Sequence, residues 1–248
     1  MPKNIVICCD GTGNEFNPQS NSNVVKLCST LVINQDQAFY YHPGVGTMGA
    51  PTAGSWWEKQ WTRIKGLAFG AGFFEDVGRA YQYLMQNYNE YPVDGQTVHD
   101  RVYLFGFSRG AYEVRALAGL LKMFGLLHPG NEALPYMLRM FERRHKENHR
   151  ALLDEFKQFQ EVFSRPCLIH FAGLWDTVGW VTESVRLPYT GRNPIIANVR
   201  HAQSIDERRI FFRQNSFTRV MTGDDLGDGT PQSHHPGFQT SLVRGRAL

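Results

Sequence analysis

The strongest constraint on the fold of this chain is the pentapeptide Gly-Phe-Ser-Arg-Gly at residues 106–110. An apolar run, residues 102–105, precedes it, and a stretch with helical apolar spacing, residues 111–127, follows it. Strand, G-x-S-x-G turn and helix in that order are typical of a nucleophile elbow, which lifts a serine hydroxyl above the edge of a sheet. Glycines fit because the turn leaves no room for side chains beside Ser108. The alternative is an ordinary β-to-α turn made of small residues.

The remaining pattern predicts an α/β fold of the α/β-hydrolase type, with a mainly parallel sheet and helices on both faces. The predicted strands cover residues 5–9, 38–42, 100–105 and 167–174. The predicted helices cover residues 21–32, 73–88, 111–127, 132–163 (with a break) and 195–204.

The chain has 248 residues, which is enough for one α/β domain with a sizeable core. We predict a single domain over residues 4–222. Residues 223–248 hold five glycines and two prolines with little periodicity, which predicts a loose C-terminal tail.

Composition excludes several classes of function. The net charge of +3 is too small to indicate nucleic acid, and neither an RNA-binding nor a zinc-finger pattern is present. Cys8 and Cys9 are adjacent within an apolar run and the other two cysteines are scattered, which favours buried free thiols over a disulfide framework or a metal site. Neither a signal peptide nor a run of about 18 apolar residues is found, so we expect the chain to be cytoplasmic as synthesised.

A serine nucleophile needs a general base, usually histidine, and a carboxylate that orients the base. In α/β-hydrolases the chain order is serine, acid, histidine. Asp176 follows a predicted strand at the catalytic edge of the sheet, and we predict that it is the acid; the alternative is a turn-capping aspartate. The candidates for the base are His201, on a predicted helix, and His234 and His235, in the tail.

The oxyanion hole requires two backbone N–H donors. We predict that Arg109, directly after the serine, supplies one, and that the loop at Gly11 and Thr12 supplies the other. Two rival interpretations of residues 10–14 are weaker. An aspartate-nucleophile phosphatase needs a second carboxylate where Thr12 stands, and a dinucleotide loop needs a third glycine. No cofactor or metal is therefore expected.

Five motifs in order resemble the DUF2235 family, the catalytic domain of type VI secretion lipase effectors of the first class (Tle1-like phospholipases). The motifs are Asp-Gly-Thr-Gly-Asn at 10–14, Tyr-His-Pro-Gly-Val-Gly-Thr at 41–47, Gly-Phe-Ser-Arg-Gly-Ala at 106–111, Gly-Leu-Trp-Asp-Thr-Val-Gly at 173–179, and His-Ala at 201–202 with Asp-Glu-Arg-Arg at 206–209. The resemblance runs across residues 4–220.

The resemblance implies an α/β-hydrolase fold and a Ser-Asp-His esterase that acts on phospholipids or other lipid esters. It implies Ser108 as nucleophile and Asp176 as acid, transient contact with a membrane surface, and a secretion-system or immunity partner. It also implies delivery of the chain out of the cell by a secretion system. Family members continue into a W-F-x-G-x-H-x-D-V-G-G-like segment whose histidine is expected to be the base. That segment does not follow Val220 here, which would leave the sheet without its last strand.

Two hypotheses follow. The first is an active serine esterase that forms an acyl-enzyme. The second is a catalytically inactive member of the family that has only a binding role. The elbow and Asp176 favour the first hypothesis, and the altered C-terminal segment favours the second.

Overall fold

A computed structural model describes residues 1–11, 21–44, 69–143, 149–178, 187–204 and 238–243. Its helices are α1 (Asn23–Cys28), α2 (Phe69–Asn87), α3 (Arg109–Phe124), α4 (Leu134–Arg143) and α5 (His149–Phe163). Its strands are β1 (Asn4–Cys9), β2 (Gln37–His42), β3 (Glu90–Val93), β4 (Gln96–His99), β5 (Arg101–Phe107), β6 (Leu126–Leu127), β7 (Ser164–Arg165), β8 (Ile169–Trp175), β9 (Val199–Ser204) and β10 (Phe238–Val243).

Six strands form a parallel sheet in the order β10-β9-β8-β5-β1-β2. The chain starts in β1, moves outward to β2, and then returns to the opposite side of β1 with β5. The strand order therefore reverses between β1 and β5. In open α/β sheets the crevice at the carboxyl ends of such strands is where ligands bind.

The alternating side chains of β1 explain why helices cover both faces of the sheet. Ile5 and Ile7 belong to the large core that also contains α2 and α3. Val6 and Cys8 lie on the opposite face and pack with Val24 of α1. Strands that are buried on both faces are typical of parallel sheets, so the predicted α/β architecture is confirmed.

Helix α3 is the central helix of the core, and nearly all of its residues are buried. It packs on β5 and β1 and contacts α2 and α5. Gly125, at φ 70°, ends the helix as the sequence predicts. Tyr81 of α2 secures this end, because its hydroxyl donates to the Gly125 carbonyl at 2.9 Å and accepts from the Leu127 N–H at 2.8 Å.

Two predictions about secondary structure are wrong, and one hairpin was missed. The helix predicted over 195–204 is instead strand β9, in which buried Val199 and His201 flank exposed Arg200. The helix predicted over 21–32 ends at Cys28, and Val32 is 68% exposed. The β3–β4 hairpin was not predicted, although the Asp94-Gly95 turn, with both φ angles positive, is a recognised hairpin signal.

The expectation of a loose tail over 223–248, and of a sheet that lacks its last strand, is wrong for β10. Phe238 pairs with Val199, and the strand continues parallel to β9 as far as Val243. The segment contains aromatic, β-branched and leucine residues, which favour strands, and β9 would otherwise present an unpaired edge. Among the described helices, none combines the length and the apolar character that crossing a membrane requires.

Candidate active site

Ser108 lies in a strained turn between β5 and α3. Its backbone has φ 55° and ψ −118°, a conformation that non-glycine residues rarely adopt. The Ser108 N–H donates to the Trp175 carbonyl at 2.9 Å, and the Val178 N–H donates to the Ser108 carbonyl at 3.3 Å. The neighbouring strand β8 and the loop after it therefore hold the turn on both sides. Such over-determined strain is a feature of functional sites.

The two glycines of the pentapeptide are required by close backbone contacts. A Cβ atom on Gly106 would lie 2.5 Å from the Ala111 Cα, within the first turns of α3. A Cβ atom on Gly110 would lie 2.2 Å from the Cys9 carbonyl oxygen, at the end of β1. The structure thus contains the strand, the tight turn and the helix that the sequence predicts, and the helix start is pressed against β1.

Asp176 occupies the equivalent position on the neighbouring strand. Phe107 pairs with Trp175, so Ser108 and Asp176 are each one residue beyond a matched pair. Asp176 has a left-handed φ of 42° and donates its N–H to the Ala202 carbonyl at 2.9 Å. Its carboxylate accepts the N–H of Ser204, the last residue of β9. Nucleophile and acid candidates therefore share the carboxyl edge of the sheet.

His201 does not lie at this edge. It pairs with Leu174, which pairs with Gly106, so it lies two residues below Ser108 and two strands away, a lateral separation of about 10 Å. Its ring is fully buried, with Nε2 3.1 Å from the Thr177 hydroxyl. Burial, reinforced by the positive charge of Arg115, lowers the pKa of His201 to about 4. His234 and His235 are outside the described residues.

The loop after β1 is held by Asp10, which is fully buried. Within the part of the chain that the structure describes, the Asp10 carboxylate accepts hydrogen bonds from the Gly11 N–H at 2.7 Å, the Ser22 hydroxyl at 2.5 Å and the Tyr41 hydroxyl at 3.2 Å. The Gly11 N–H, one predicted oxyanion donor, therefore has the Asp10 carboxylate as its acceptor. Thr12, the other candidate in this loop, is outside the described residues.

A buried charge cluster beside the elbow was not predicted. It consists of His42 at the end of β2, Asp76 of α2, and Arg109 and Glu113 of α3. The His42 ring is 3.3 Å from Asp76 Oδ1 and 3.4 Å from Glu113 Oε1, and Arg109 is 3.8 Å from Asp76 Oδ2. A sequence signal for the cluster was the presence of two charged residues, Arg109 and Glu113, in the first turns of the helix after the elbow. His42, Asp76 and Glu113 are also residue types that metals bind.

Fold and site together define an α/β protein with a strained strand-turn-helix segment around Ser108, next to the point where the strand order of its sheet reverses. The family model described as T6SS, Phospholipase effector Tle1-like, catalytic domain matches residues 3–238, and the chain belongs to this family. The resemblance expected from the five motifs is thereby confirmed.

The chain is similar to one curated protein and to two solved structures. The uncharacterized protein YEL023C of Saccharomyces cerevisiae (strain ATCC 204508 / S288c) is 33% identical over 234 residues, which are 87% of this chain; the chain spans about a third of that relative's length (33%). The crystal structure of an uncharacterized protein from Pseudomonas aeruginosa is 19% identical, with a TM-score of 0.47, over 98% of this chain and 41% of the other. The Tle1 effector bound to the VgrG spike from the Type 6 secretion system is 16% identical, with a TM-score of 0.38, over 87% of this chain and 47% of the other.

Proposed function

We propose that the chain is a serine hydrolase that cleaves carboxylic esters of lipids, phospholipids among them, with Ser108 as its nucleophile. The observation that carries the proposal is the strained backbone of Ser108 at the carboxyl edge of the sheet, between β5 and α3. The lipid class is supported by the phospholipase effector family to which the chain belongs.

In the proposed reaction, the Ser108 hydroxyl attacks the ester carbonyl while a histidine takes its proton. The negative charge that forms on the carbonyl oxygen is stabilised by the backbone N–H of Arg109, at the start of α3, where the helix dipole also favours negative charge. The alcohol then leaves with the proton from the histidine. Water hydrolyses the acyl-enzyme by the same steps in reverse order.

Asp176 is the proposed orienting acid. It neighbours Ser108 across the β5–β8 pair, and its carboxylate lies at the N–H of Ser204, where the chain leaves β9. A carboxylate in this position can bind a histidine that comes from the segment after β9. This fits the chain order of α/β-hydrolases.

For the base we propose His234 or His235, because the described alternatives are unsuitable. His201 is fully buried and neutral, with its pKa lowered to about 4, and its ring is bonded to Thr177. His42 lies between two carboxylates, and although burial lowers its pKa, the nearby Asp76 and Glu113 carboxylates raise it overall to about 9. A histidine that is already protonated at neutral pH cannot act as a general base.

Family membership also supports a proposal about the biological setting. We propose that the chain is delivered out of the cell by a secretion system, contacts a membrane surface transiently, and has a secretion-system or immunity protein as partner. Co-purification with a spike protein of the same organism would support this setting, whereas a lipid hydrolase active inside its own cell would contradict it.

The test is labelling of the purified chain with a fluorophosphonate probe, which reacts only with an activated serine. We expect labelling of the wild type, none of Ser108→Ala, and unchanged labelling of the control Ser29→Ala, an exposed serine at the end of α1. His201→Gln should keep its labelling, whereas His234→Gln or His235→Gln should lose it. A folded wild type that stays unlabelled would refute the proposal and favour an inactive, binding member of the family.

A further inference from the structure

The buried charge cluster is more than nine-tenths shielded from solvent. The exposed fractions are 9% for His42, 4% for Asp76, 6% for Arg109 and 1% for Glu113. Ionised groups at such burial are costly unless their charges balance. With His42 protonated, the cluster contains two positive and two negative charges, and with His42 neutral it contains an uncompensated negative charge.

The geometry of the ring also indicates the protonated form. Nε2 is 3.3 Å from Asp76 Oδ1 and Nδ1 is 3.4 Å from Glu113 Oε1, so each ring nitrogen has a carboxylate oxygen within ion-pair distance, although the Nδ1 contact lacks hydrogen-bond geometry. Only an imidazolium has an N–H on both nitrogens, and a neutral ring would point a lone pair at one of the carboxylates. Burial lowers the pKa of His42, but the interactions with the Asp76 and Glu113 carboxylates outweigh the effect of burial and raise the pKa to about 9.

Other groups near the cluster do not replace the charge of His42. On α2, Arg79 is 3.8 Å from Asp76, but its side chain is 56% exposed and pairs with Glu75. On β1, burial and the proximity of Glu113 raise the pKa of the Cys9 thiol well above its usual value, so it stays neutral. On β2, burial raises the pKa of Tyr40 in the same way.

The cluster connects the elbow to β1 and β2, the two strands on one side of β5. The His42 carbonyl accepts the N–H of Asp10 at 2.9 Å, at the end of β1. Arg109 and Glu113 are one turn apart on α3, and Arg109 directly follows the nucleophile. A displacement of this first turn would move both the Ser108 hydroxyl and the Arg109 N–H.

We propose that protonated His42 is a positioning residue for the ester-hydrolysing reaction, which holds the first turn of α3 against the ends of β1 and β2 through Asp76 and Glu113. This inference rests on the proposed function. It assigns a positioning role to His42, Asp76 and Glu113, which the Ser-Asp-His mechanism does not use.

The same residues are less suited to a divalent metal ion. The Arg109 guanidinium, 3.8 Å from Asp76, would repel a cation at this position. A metal would also take one ring nitrogen and leave the other facing a carboxylate. Stoichiometric, tight binding of zinc to the wild type that His42→Gln abolishes would overturn the proposal in favour of a metal site.

The test is a cycle of charge-changing variants of the full chain: His42→Gln, Glu113→Gln and the double variant. His42→Gln leaves the cluster negative, and we expect it to lower the rate of fluorophosphonate labelling about tenfold to a hundredfold, the scale of a misplaced catalytic group. In the double variant the cluster is neutral again. Its labelling rate should return to within about fivefold of the wild-type rate, because the two residues interact directly. In ester hydrolysis the loss should be in kcat with KM unchanged.

Two controls separate charge balance from general damage. Glu75→Gln removes an exposed carboxylate next to Asp76 on α2, and His99→Gln removes a partly exposed histidine paired with Glu90; both should label at the wild-type rate. A double variant that is slower than either single variant would overturn the proposal. So would ring ¹⁵N NMR showing a neutral His42 at pH 8, a readout that does not depend on activity.

The outcomes also separate the two proposals. An unlabelled wild type would overturn the proposed hydrolase and, with it, any positioning role for His42. A labelled wild type together with a His42→Gln variant of unchanged rate would overturn the positioning role alone. The wild-type rate should fall as pH rises through about 9, and the double variant should lack this decline.

Discussion

Gly110→Ala tests whether the start of α3 is pressed against β1. The new methyl group would lie 2.2 Å from the Cys9 carbonyl oxygen and 2.5 Å from the Asp10 carbonyl oxygen, whereas ordinary contacts begin at 3.4 Å. Both obstacles are backbone atoms of a strand paired on both sides, and they cannot rotate away. The helix start must therefore move by more than about 1 Å.

The expected change in the free energy of unfolding of Gly110→Ala is the balance of two opposed effects. Alanine is favoured over glycine inside a helix by about 1 kcal/mol. Overpacking in a closed core costs about 1–3 kcal/mol, and here the obstacle is backbone on both sides, so we expect a net loss of roughly 2 kcal/mol. For a chain of this size that corresponds to a decrease in Tm of about 4–8 °C. Labelling of Ser108 should slow as well, because Arg109 moves with the helix.

The matched control is Gly72→Ala in helix α2, where a Cβ atom has no neighbour within 4 Å among the residues that the structure describes. The same change should there be neutral or stabilising by up to about 1 kcal/mol. Thermal unfolding followed by circular dichroism measures both variants. If Gly110→Ala is as stable as Gly72→Ala, the close packing of α3 on β1 is incorrect.

Three further predictions concern the groups around the site. His201 has a pKa of about 4 when folded and about 6.5 when unfolded, so stability should fall by roughly 3 kcal/mol as pH falls from 6.5 to 4, and acid titration of His201→Gln should show a smaller loss. Tyr81→Phe leaves the buried Gly125 carbonyl and Leu127 N–H without their partner and should cost about 1–3 kcal/mol in urea unfolding; an unchanged midpoint would contradict the bonds. Asp10→Asn places an amide among three donors and should cost about 2 kcal/mol by the same measurement, with slower labelling of Ser108; a variant that matches the wild type would show that the loop does not depend on this carboxylate.

The parts of the site that the sequence predicted are those encoded within a few residues. The elbow requires only a strand, two glycines around Ser108 and a helix, all inside one continuous segment. Asp176 was predicted as the acid because it directly follows an apolar run; the structure places it at the same edge of the sheet as Ser108, and its role stays a prediction. The buried charge cluster was missed because its members come from β2, α2 and α3, and only the folded packing brings them together.

The assignment of β9 as a helix has a related cause. A short stretch with a few apolar residues fits both the helical repeat and the alternation of a strand. Its length and its flanking residues did not decide between helix and strand. What makes it a strand is the edge of β8, where the Ala172 N–H donates to the Asn198 carbonyl at 2.8 Å. Strand β10 pairs in turn with the edge of β9, a long-range contact that the glycines, prolines and weak periodicity of residues 223–248 did not indicate.

The sheet topology gives a reason for the order of the catalytic candidates along the chain. After the reversal at β1, the strands β5, β8, β9 and β10 are added one beside the next, all parallel. Each new strand therefore brings the residue at its carboxyl end to the same edge, first Ser108 and then Asp176. Because Asp176 accepts the N–H of Ser204, the chain leaving β9 starts beside this proposed acid. A base placed in the segment after β9 extends this row by one position, whereas His201, inside β9, lies below it.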